Sequence, residues 1–311
     1  MLTPIETARA PARAAEIRRL DDWRASGFQQ RLSRFNRERL ATAIPEGDWE
    51  AVLDDETAMR KLEGRWIDAE RGVVAGRAAL APTDPQAFIG WFEDLLASGP
   101  GQGDPLFPWL AEHATLDEMR WFLQQEVAGE AGFDDLVALT QVKLPDRAKM
   151  ELARNYWDEM GRGNMAGMHG PMLNALAERL DVRAEIETTV PESLALANTM
   201  VAFATARRTV WHSVGALGVI ELTAPARSAA VAAGLRRLGY SDKDRRYFDL
   251  HAVLDVKHSA AWNAEALIPI VTEFPEVARY LAEGALMRLE CGARCFARYR
   301  SELWERKRAA A

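Results

Sequence analysis

The 311-residue chain has only two cysteines and no apolar run near the roughly 20 residues of a membrane-spanning helix. Cys291 and Cys295 lie one helical turn apart, which suits a disulfide poorly, so a reducing compartment is the simpler expectation. The first residues also lack the apolar stretch of a secretory signal. The sequence therefore predicts a cytoplasmic protein that does not act on a membrane.

The chain also has fewer basic than acidic residues, so that its formal net charge at pH 7 is −7. A strongly acidic chain does not offer the broad basic surface that nucleic acids or anionic lipids bind. Almost half of the residues are apolar, which is ample material for a folded core. We therefore expect a globular protein that acts on a small molecule, without a nucleic-acid partner, and compatible with a homodimer.

Alternating β-branched runs and Asn-Gly turns are absent, whereas helical spacing of apolar residues recurs throughout. The sequence predicts an all-α bundle, with residues 1–100 as an N-terminal helical extension packed on a catalytic core of residues 101–311. Only a short loop (99–108) separates the two parts, so we expect one compact unit. Predicted helices cover about 5–42, 48–80, 83–99, 115–141, 145–160, 165–180, Pro191 to just before Pro225, a segment ending at Gly239, a segment capped by Ser241, and Pro275 onward.

One short stretch carries the strongest chemical signal. His251, Asp255 and His258 fall at i, i+4 and i+7, so a helix places them on one face. Phe248 and Trp262 continue the same stripe, which indicates that this face points toward a core. Buried polar groups need partners, and two imidazoles with a carboxylate are suited to a cation. A hydrogen-bonded core cluster or a half-exposed polar face is the alternative interpretation.

Further acidic and histidine residues stand on other predicted helices. Glu126 and Glu130 interrupt an apolar stripe at i and i+4, which makes them candidate metal ligands. The alternative is that they face a groove and pair with arginines. Glu159 and His169 flank a glycine-rich segment, and Glu221 ends an apolar stripe. Each is a weak signal alone, because a lone buried glutamate is usually paired with a cation.

The sum of the charges of these candidate residues supports the interpretation that they form a single metal site. Four carboxylates and three neutral histidines would be balanced by two divalent cations, and without metal several carboxylates would have to take up protons. Imidazole and carboxylate ligands without thiolate favour iron, with manganese as the alternative, over structural zinc. The predicted ligands are Glu130, Glu159, His169, Glu221, His251, Asp255 and His258, with Glu126 as the alternative to Glu130.

With these residues in place, the sequence resembles the haem-oxygenase-like diiron oxidases and oxygenases, also described as iron-containing redox enzymes. The resemblance covers roughly residues 115–262. It depends on four pieces of sequence, which are the segment from Glu126 to Phe133, the segment from Trp157 to Gly163 together with His169, Glu221, and the triplet of His251, Asp255 and His258.

The resemblance implies a seven-helix bundle like that of haem oxygenase, with additional N-terminal helices and with two iron ions in place of haem. It also implies an enzyme that uses O₂ as co-substrate to oxidise a small molecule, typically in biosynthesis. In this family, a glutamate ahead of the histidine on the second core helix accompanies oxygen transfer to nitrogen, and Glu159 stands at that place. Desaturation of C–H bonds, oxidative C–C cleavage and a non-catalytic metal-binding role are the alternatives.

Other helical families fit the sequence less well. A ferritin-like bundle would require Glu-x-x-His pairs on two helices, which the chain does not have in suitable helices. A thiamine-salvage hydrolase would require a nucleophilic cysteine in the bundle core, and haem oxygenase a histidine on its first helix. The basic residues show no obvious clamp for a substrate carboxylate, and Arg207 and Arg208 are candidates only by their place before Glu221.

The ligand set makes one geometric demand. A continuous helix would separate the Cα atoms of Glu159 and His169 by about 15 Å, at about 1.5 Å per residue. Two metal ions in such sites lie about 3.5–4 Å apart. Both residues can serve one centre only if the chain bends between them, and Gly161 and Gly163 are where we expect the break.

Overall fold

The computed structural model describes residues 26–130 and 132–310, with residues 26, 129, 130 and 305–310 described by their backbone alone. Within these ranges the chain forms α-helices and no β-strand, so the predicted all-α class is confirmed. The helices are α1 (Ser26–Leu40), α2 (Trp49–Ala78), α3 (Pro85–Glu93), α4 (Leu95–Ser98), α5 (Leu106–Glu112), α6 (Leu116–Glu130), α7 (Phe133–Thr140), α8 (Asp146–Glu159), α9 (His169–Arg179), α10 (Pro191–Thr205), α11 (Val210–Arg237), α12 (Arg246–Trp262), α13 (Ile268–Glu273) and α14 (Ala278–Ala310).

Two predicted helices begin where expected, and the predicted side chains cap their N-termini. Asp84 accepts a hydrogen bond from the backbone N–H of Ala87 at 2.9 Å, with a proline in the first turn of α3. Thr115 and Glu118 exchange backbone and side-chain hydrogen bonds at the start of α6. This reciprocal pair satisfies N–H groups that have no partner inside the helix.

Three predicted helices compare differently with the structure. The helix predicted over 115–141 is divided into α6 and α7, because Gly132 adopts a left-handed conformation with φ 99°. The last predicted start is close, since a 3₁₀ turn at Pro275–Val277 leads into α14. Of the helical segment predicted over about 5–42, residues before 26 lie outside the described residues.

The long helix predicted from Pro191 to just before Pro225 is two helices. α10 ends at Thr205, a 3₁₀ turn follows at Arg207–Thr209, and α11 then continues through Pro225 to Arg237. Proline was expected to end the helix because it has no N–H to donate to the carbonyl four residues earlier. In α11 that carbonyl belongs to Glu221, and packing around the helix maintains it past this gap.

Ser241 does not cap the helix of the triplet directly, as was predicted. Its hydroxyl donates to Asp244 at 2.6 Å, and the backbone N–H of Asp244 points back to the Ser241 oxygen at 3.4 Å. This capping box closes a separate turn, and α12 begins afterwards, at Arg246.

α11 is the central helix of the bundle and packs most extensively against α12 and α14. Glycine makes the close approach to α14 feasible. A Cβ atom on Gly215 would lie 1.9 Å from the carbonyl oxygen of Leu281, and one on Gly284 would lie 2.0 Å from that of His212. Because these distances exclude any side chain, the backbones of the two helices touch.

The segment 207–237 is the single described helix with the length and composition to cross a membrane. Of its most apolar window, 56% is buried inside the protein. Its neighbours α12 and α14 cover it, which is the position of a core helix in a helical bundle.

The N-terminal helices pack on this bundle. Phe28 of α1 and Trp66 of α2 belong to the same buried core as Trp262 of α12. Polar contacts join the same parts, since Asn36 donates to the side-chain oxygen of Asn198 on α10 at 2.9 Å. The boundary proposed between residues 100 and 101 stays a prediction.

Candidate metal centre

α12 brings the triplet to the interior of the bundle. Asp255 and His258 are 3% and 6% exposed, and His251 is partly buried on the same face, one turn earlier. The stripe ends at Trp262, which is fully buried and donates from its ring to the carbonyl of Val214 on α11. Apolar anchoring of this face against α11 therefore turns the three polar side chains inward.

The three residues do not converge on one point. His251 lies with Glu159 and His169, whereas Asp255 and His258 lie with Glu221. Within each group of three, the potential ligand atoms all lie within 4.8 Å of one another. The two groups stand side by side, because His251 and Asp255 are separated by one helical turn.

The first group forms across the break that the sequence predicts. α8 ends at Glu159, α9 begins at His169, and the chain between them turns through left-handed residues at Gly161 (φ 61°), Arg162 (φ 54°) and Gly163 (φ 81°). A Cβ atom on Gly161 would lie 2.4 Å from the backbone of Gly167, so glycine is required there. The predicted bend is confirmed.

Within this group, Nδ1 of His169 lies 2.8 Å from Oε2 of Glu159 but forms no hydrogen bond. The ring edge of His169 packs against the ring of His251, with 4.7 Å between the centroids. His251 in turn donates from Nδ1 to the carbonyl oxygen of Tyr247 at 2.6 Å, which leaves Nε2 as the electron-pair donor. Burial lowers the pKa of His251, and the neighbouring His169 acts in the same direction.

The second group contains a denser network. Asn155 donates to Oε1 of Glu221 at 2.6 Å and lies 3.2 Å from Nδ1 of His258. The opposite ring nitrogen, Nε2, donates to Asp158 at 3.1 Å, while Nδ1 lies 3.5 Å from Glu221. A carboxylate behind a histidine in this way fixes the ring orientation of a metal ligand.

The charges around His258 are predominantly negative. Burial alone would lower its pKa, but the hydrogen bonds to Glu221 and Asp158, with the charges of Glu221 and Asp255, outweigh burial and raise the pKa to about 9. Burial likewise works against the ionised form of Asp158, but hydrogen bonds from Arg162 and His258 hold its pKa below the usual value. The site therefore favours a positive charge at the position of this ring.

The seventh predicted ligand is left open. Glu130 is the last residue of α6, and its side chain lies outside the described residues. Glu126 lines the cavity next to the two groups and accepts a hydrogen bond from Tyr299 at 3.0 Å. The alternatives of Glu130 and Glu126 therefore both stay predictions.

Sequence reasoning missed Asn155 and Asp158. Both lie on α8 within one turn of Glu159, and Asn155 is only 1% exposed. A polar residue one turn before a predicted ligand, on the same face, is the signal that would have identified Asn155.

A cavity of about 80 Å³ opens beside the two groups, room for several water molecules or a small organic group. Its polar lining includes Glu159, Glu221, His251 and Asp255. Its apolar walls are largely aromatic and are formed by Phe107, Phe122, Phe133, Tyr247, Phe248 and Phe296.

Arg207 and Arg208, the predicted substrate-binding arginines, do not line this cavity. Arg207 donates to the backbone carbonyls of Leu139, in the last turn of α7, and of Val142 just after it, and Arg208 pairs with Asp68 on the surface. The cationic residues of the cavity are Arg227 and Arg288 instead.

The donor atoms fit iron. Each group combines imidazole nitrogen with carboxylate oxygen, the mixture that non-haem iron and manganese bind, and neither contains a thiolate. The unsatisfied Nδ1 of His169, 2.8 Å from a carboxylate oxygen, is the arrangement expected when both atoms have a third, positive partner.

The fold and these donors define a helical bundle of the haem-oxygenase-like type with a candidate metal centre. A family model described as iron-containing redox enzyme matches residues 120–293, a range that includes all the predicted ligands. The chain belongs to this family of iron-containing redox enzymes, and the resemblance inferred from the sequence is confirmed. Iron is the metal that the family implies.

Solved structures agree on the fold. A CADD-like protein of unknown function from Nostoc punctiforme PCC 73102 matches with TM-score 0.56 and 18% identity, over 70% of this chain and 98% of that one. A domain of unknown function with a haem oxygenase-like fold from Shewanella denitrificans OS217 matches with TM-score 0.52 and 14% identity, over 73% and 94%. Among curated proteins, none matches this chain by sequence.

Proposed function

We propose that the chain is a non-haem dinuclear iron enzyme that uses O₂ to oxidise a small molecule. The observation that carries the proposal is the presence of two adjacent buried groups, each with three potential ligand atoms within 4.8 Å of one another. In this assignment Glu159, His169 and His251 hold one metal, and Glu221, Asp255 and His258 hold the other. Glu130, or alternatively Glu126, completes the set.

Charge balance supports two divalent ions rather than one. Glu159, Glu221 and Asp255 are all buried, and a fourth carboxylate from α6 would bring the negative charge to four. Buried carboxylates without a cation would take up protons or destabilise the fold. Two divalent ions neutralise four carboxylates.

The surrounding residues orient the ligands. Asp158 accepts from Nε2 of His258, which leaves Nδ1 on the side of Glu221 as the metal-binding atom, and the carbonyl of Tyr247 fixes the tautomer of His251. Bound iron would supply the redox chemistry that O₂ activation requires. The aromatic walls of the cavity would hold an organic substrate beside the centre and keep bulk water away from it.

Within this class, we infer that the reaction is oxygen transfer to nitrogen. This finer inference depends on Glu159 acting as a ligand rather than as a hydrogen-bond partner of His169, and the lack of a hydrogen bond between them supports it. An additional carboxylate increases the negative charge at the metals. Desaturation and C–C cleavage are the alternatives that the product test below separates.

The metal proposal is tested by anaerobic titration of the full-length protein with Fe(II), and separately with Mn(II). We expect close to two equivalents of iron for the wild type and a clear loss for His251→Ala and Asp255→Ala. His113→Ala is the matched control, because His113 is exposed and lies outside both groups. Unchanged stoichiometry in both site variants would contradict the ligand assignment.

The reaction class is tested in single turnovers with the Fe(II)-loaded protein, ¹⁸O₂ and a panel of primary amines with aromatic or alkyl chains, analysed by mass spectrometry. Transfer of one oxygen atom to nitrogen reduces the other to water, and the two Fe(II) supply the two electrons that this requires. A product with one labelled oxygen on nitrogen supports the inference. An alkene, two mass units lighter, or a chain-shortened product identifies one of the alternatives. Absence of O₂ consumption with every amine, despite full iron loading, would favour a non-catalytic metal-binding role.

A further inference from the structure

Arg288 of α14 lines the cavity beside the metal centre and is 6% exposed. Its Nε atom is buried without a hydrogen-bond partner, and the described carboxylates form no ion pair with this guanidinium. Arg294, less than two turns further along the same helix, shows the usual solution, because it pairs with Glu70 at 2.7 Å. Arg288 is therefore a buried cation whose partner is missing among the described side chains.

An arginine cannot relieve this situation by losing its proton, because the delocalised guanidinium stays charged in proteins. A buried charge without a partner destabilises the fold, so such a residue is expected to have a role other than stability. Its planar guanidinium donates two parallel hydrogen bonds to a carboxylate, which makes it well suited to recognising that group.

The rest of the cavity is consistent with an organic anion. Arg227 adds a second cation, which lies over the ring of Phe296 at 5.6 Å and donates to Thr223 at 3.0 Å. Phe107 and Phe122 line the same cavity and pack edge to face, with 6.5 Å between their ring centroids. One cavity thus contains a cationic anchor, an aromatic wall and the candidate metal ligands.

We propose that Arg288 binds the carboxylate of the small-molecule substrate, so that the remainder of the substrate extends along the aromatic wall toward the metal centre. The identification of this ligand as the substrate rests on the proposed function; the anion site itself does not. A monoanionic carboxylate suits the cavity better than a dianionic phosphate, because Glu126, Glu159, Glu221 and Asp255 also line it and repel additional negative charge.

The test is calorimetric titration of the full-length protein, both metal-free and loaded anaerobically with Fe(II). The probes are benzoate, phenylacetate and 4-phenylbutyrate, each compared with its neutral amide, together with phenylphosphonate. We expect at least one acid to bind at least tenfold more tightly than its amide, also in the metal-free protein, where direct coordination to iron is excluded.

Arg288→Gln should remove the preference for acid over amide, and Arg288→Lys should retain part of it. Arg294→Gln is the matched control on the same helix and should keep the preference, because Arg294 lines a different pocket. The unliganded Arg288→Gln protein should melt at the same or a higher temperature than the wild type, since an unpaired buried charge is removed. A structural ion pair at Arg288 would instead lower the melting temperature.

Equal affinity for acid and amide with every probe, or an unchanged preference in Arg288→Gln, would overturn the proposal. Tighter binding of phenylphosphonate than of any acid would overturn the assignment to a carboxylate. The two proposals fail separately. Absence of any acid preference in the wild type, which still binds two iron equivalents, refutes the anchor alone. Acid binding that depends on Arg288, in a protein that does not bind iron, refutes the metal centre alone.

Discussion

Two buried histidine–carboxylate clusters lie along α11, and they differ in how their negative charge is balanced. Near the start of the helix, His212 contacts Glu283 of α14 at 3.0 Å, and Glu283 also accepts from Arg71 and Arg279. Further along, Glu221 lies with His258 and Asp255, and no described arginine contacts it. Arginines of the protein balance the first cluster, whereas no described arginine contacts Glu221 of the second, which is the cluster we propose to bind metal.

This comparison distinguishes two roles that a buried glutamate beside a histidine can have. A buried glutamate beside a histidine is structural when arginines supply the opposite charge, as they do at Glu283. We interpret it as part of a metal site when amide and carboxylate groups surround it, as Asn155 and Asp158 do near Glu221 and His258. The surrounding residues, rather than the histidine and glutamate themselves, distinguish the two cases.

The largest expected effect concerns stability at the first cluster. Glu283→Ala would leave His212 buried without its partner and remove the shared acceptor of two arginines, so we expect a loss of roughly 3–5 kcal/mol in the free energy of unfolding. Urea denaturation of the metal-free protein measures it. Iron stoichiometry should stay at the wild-type value, and a fall in iron binding without loss of stability would contradict the distinction between the clusters.

The same cluster should make stability depend on pH. Burial works against ionised Glu283, but the hydrogen bonds from His212 and Arg71 outweigh it and lower its pKa to about 2, from 4.5. A depressed pKa stabilises the fold above the unfolded value and loses that contribution as the pH falls from about 4.5 to about 2.

The size of this pH effect is reduced by solvent, because Arg71 and Arg279 are partly exposed and their charges are screened. We expect roughly 2 kcal/mol of stability to be lost over this range. Denaturation curves of wild type and Glu283→Gln, measured between pH 5 and 2, should converge on acidification. Parallel curves for the two proteins would show that Glu283 does not cause the loss.

A smaller effect, on iron affinity, is expected for Asp158, which accepts a hydrogen bond from the proposed ligand His258. Asp158→Asn keeps the shape of the side chain but removes the charge that accepts from Nε2 of His258. Such partners typically contribute about 10–100-fold to metal affinity. Competition of the protein with a chromogenic chelator for Fe(II) measures the change. Asp68→Asn, a surface substitution away from both groups, serves as the control and should bind iron like the wild type.

The smallest effect, again on iron affinity, is expected for Arg162, which contacts Asp158 and not a proposed ligand. Arg162 contacts Asp158 at 2.5 Å but is mostly exposed, so its charge is screened by water. Arg162→Gln should therefore change iron affinity by no more than about fivefold. A loss as large as that of Asp158→Asn would show that the arginine, rather than the carboxylate, determines the orientation of His258.

Much of the architecture could be predicted from the sequence, because helical periodicity and caps are local signals. The triplet of α12 and the break at Gly161 and Gly163 needed only spacing and the properties of glycine. Pro225 inside α11 could not be predicted, since the packing that maintains the helix there comes from distant segments. The division between α10 and α11 at Ala206 has no proline or glycine to mark it.

The site was predictable in its residue types but not in its grouping. Spacing placed His251 and Asp255 on one face, yet nothing local indicates that they belong to different groups. The role of Arg288 could not be predicted from the sequence for a related reason. A single arginine in a long arginine-rich helix looks like a surface residue, and only the tertiary structure shows that it faces a cavity.

The joint between α8 and α9 has a consequence for the order of metal loading. Glu221, Asp255 and His258 all project from the interiors of helices, whereas Glu159 and His169 stand on either side of a loop with three consecutive left-handed residues. Ordering such a loop costs conformational entropy that the helix-borne group does not incur. We expect iron to fill the group of Glu221 first and the group of Glu159 second, so that substoichiometric iron populates a mononuclear form with half of the centre assembled.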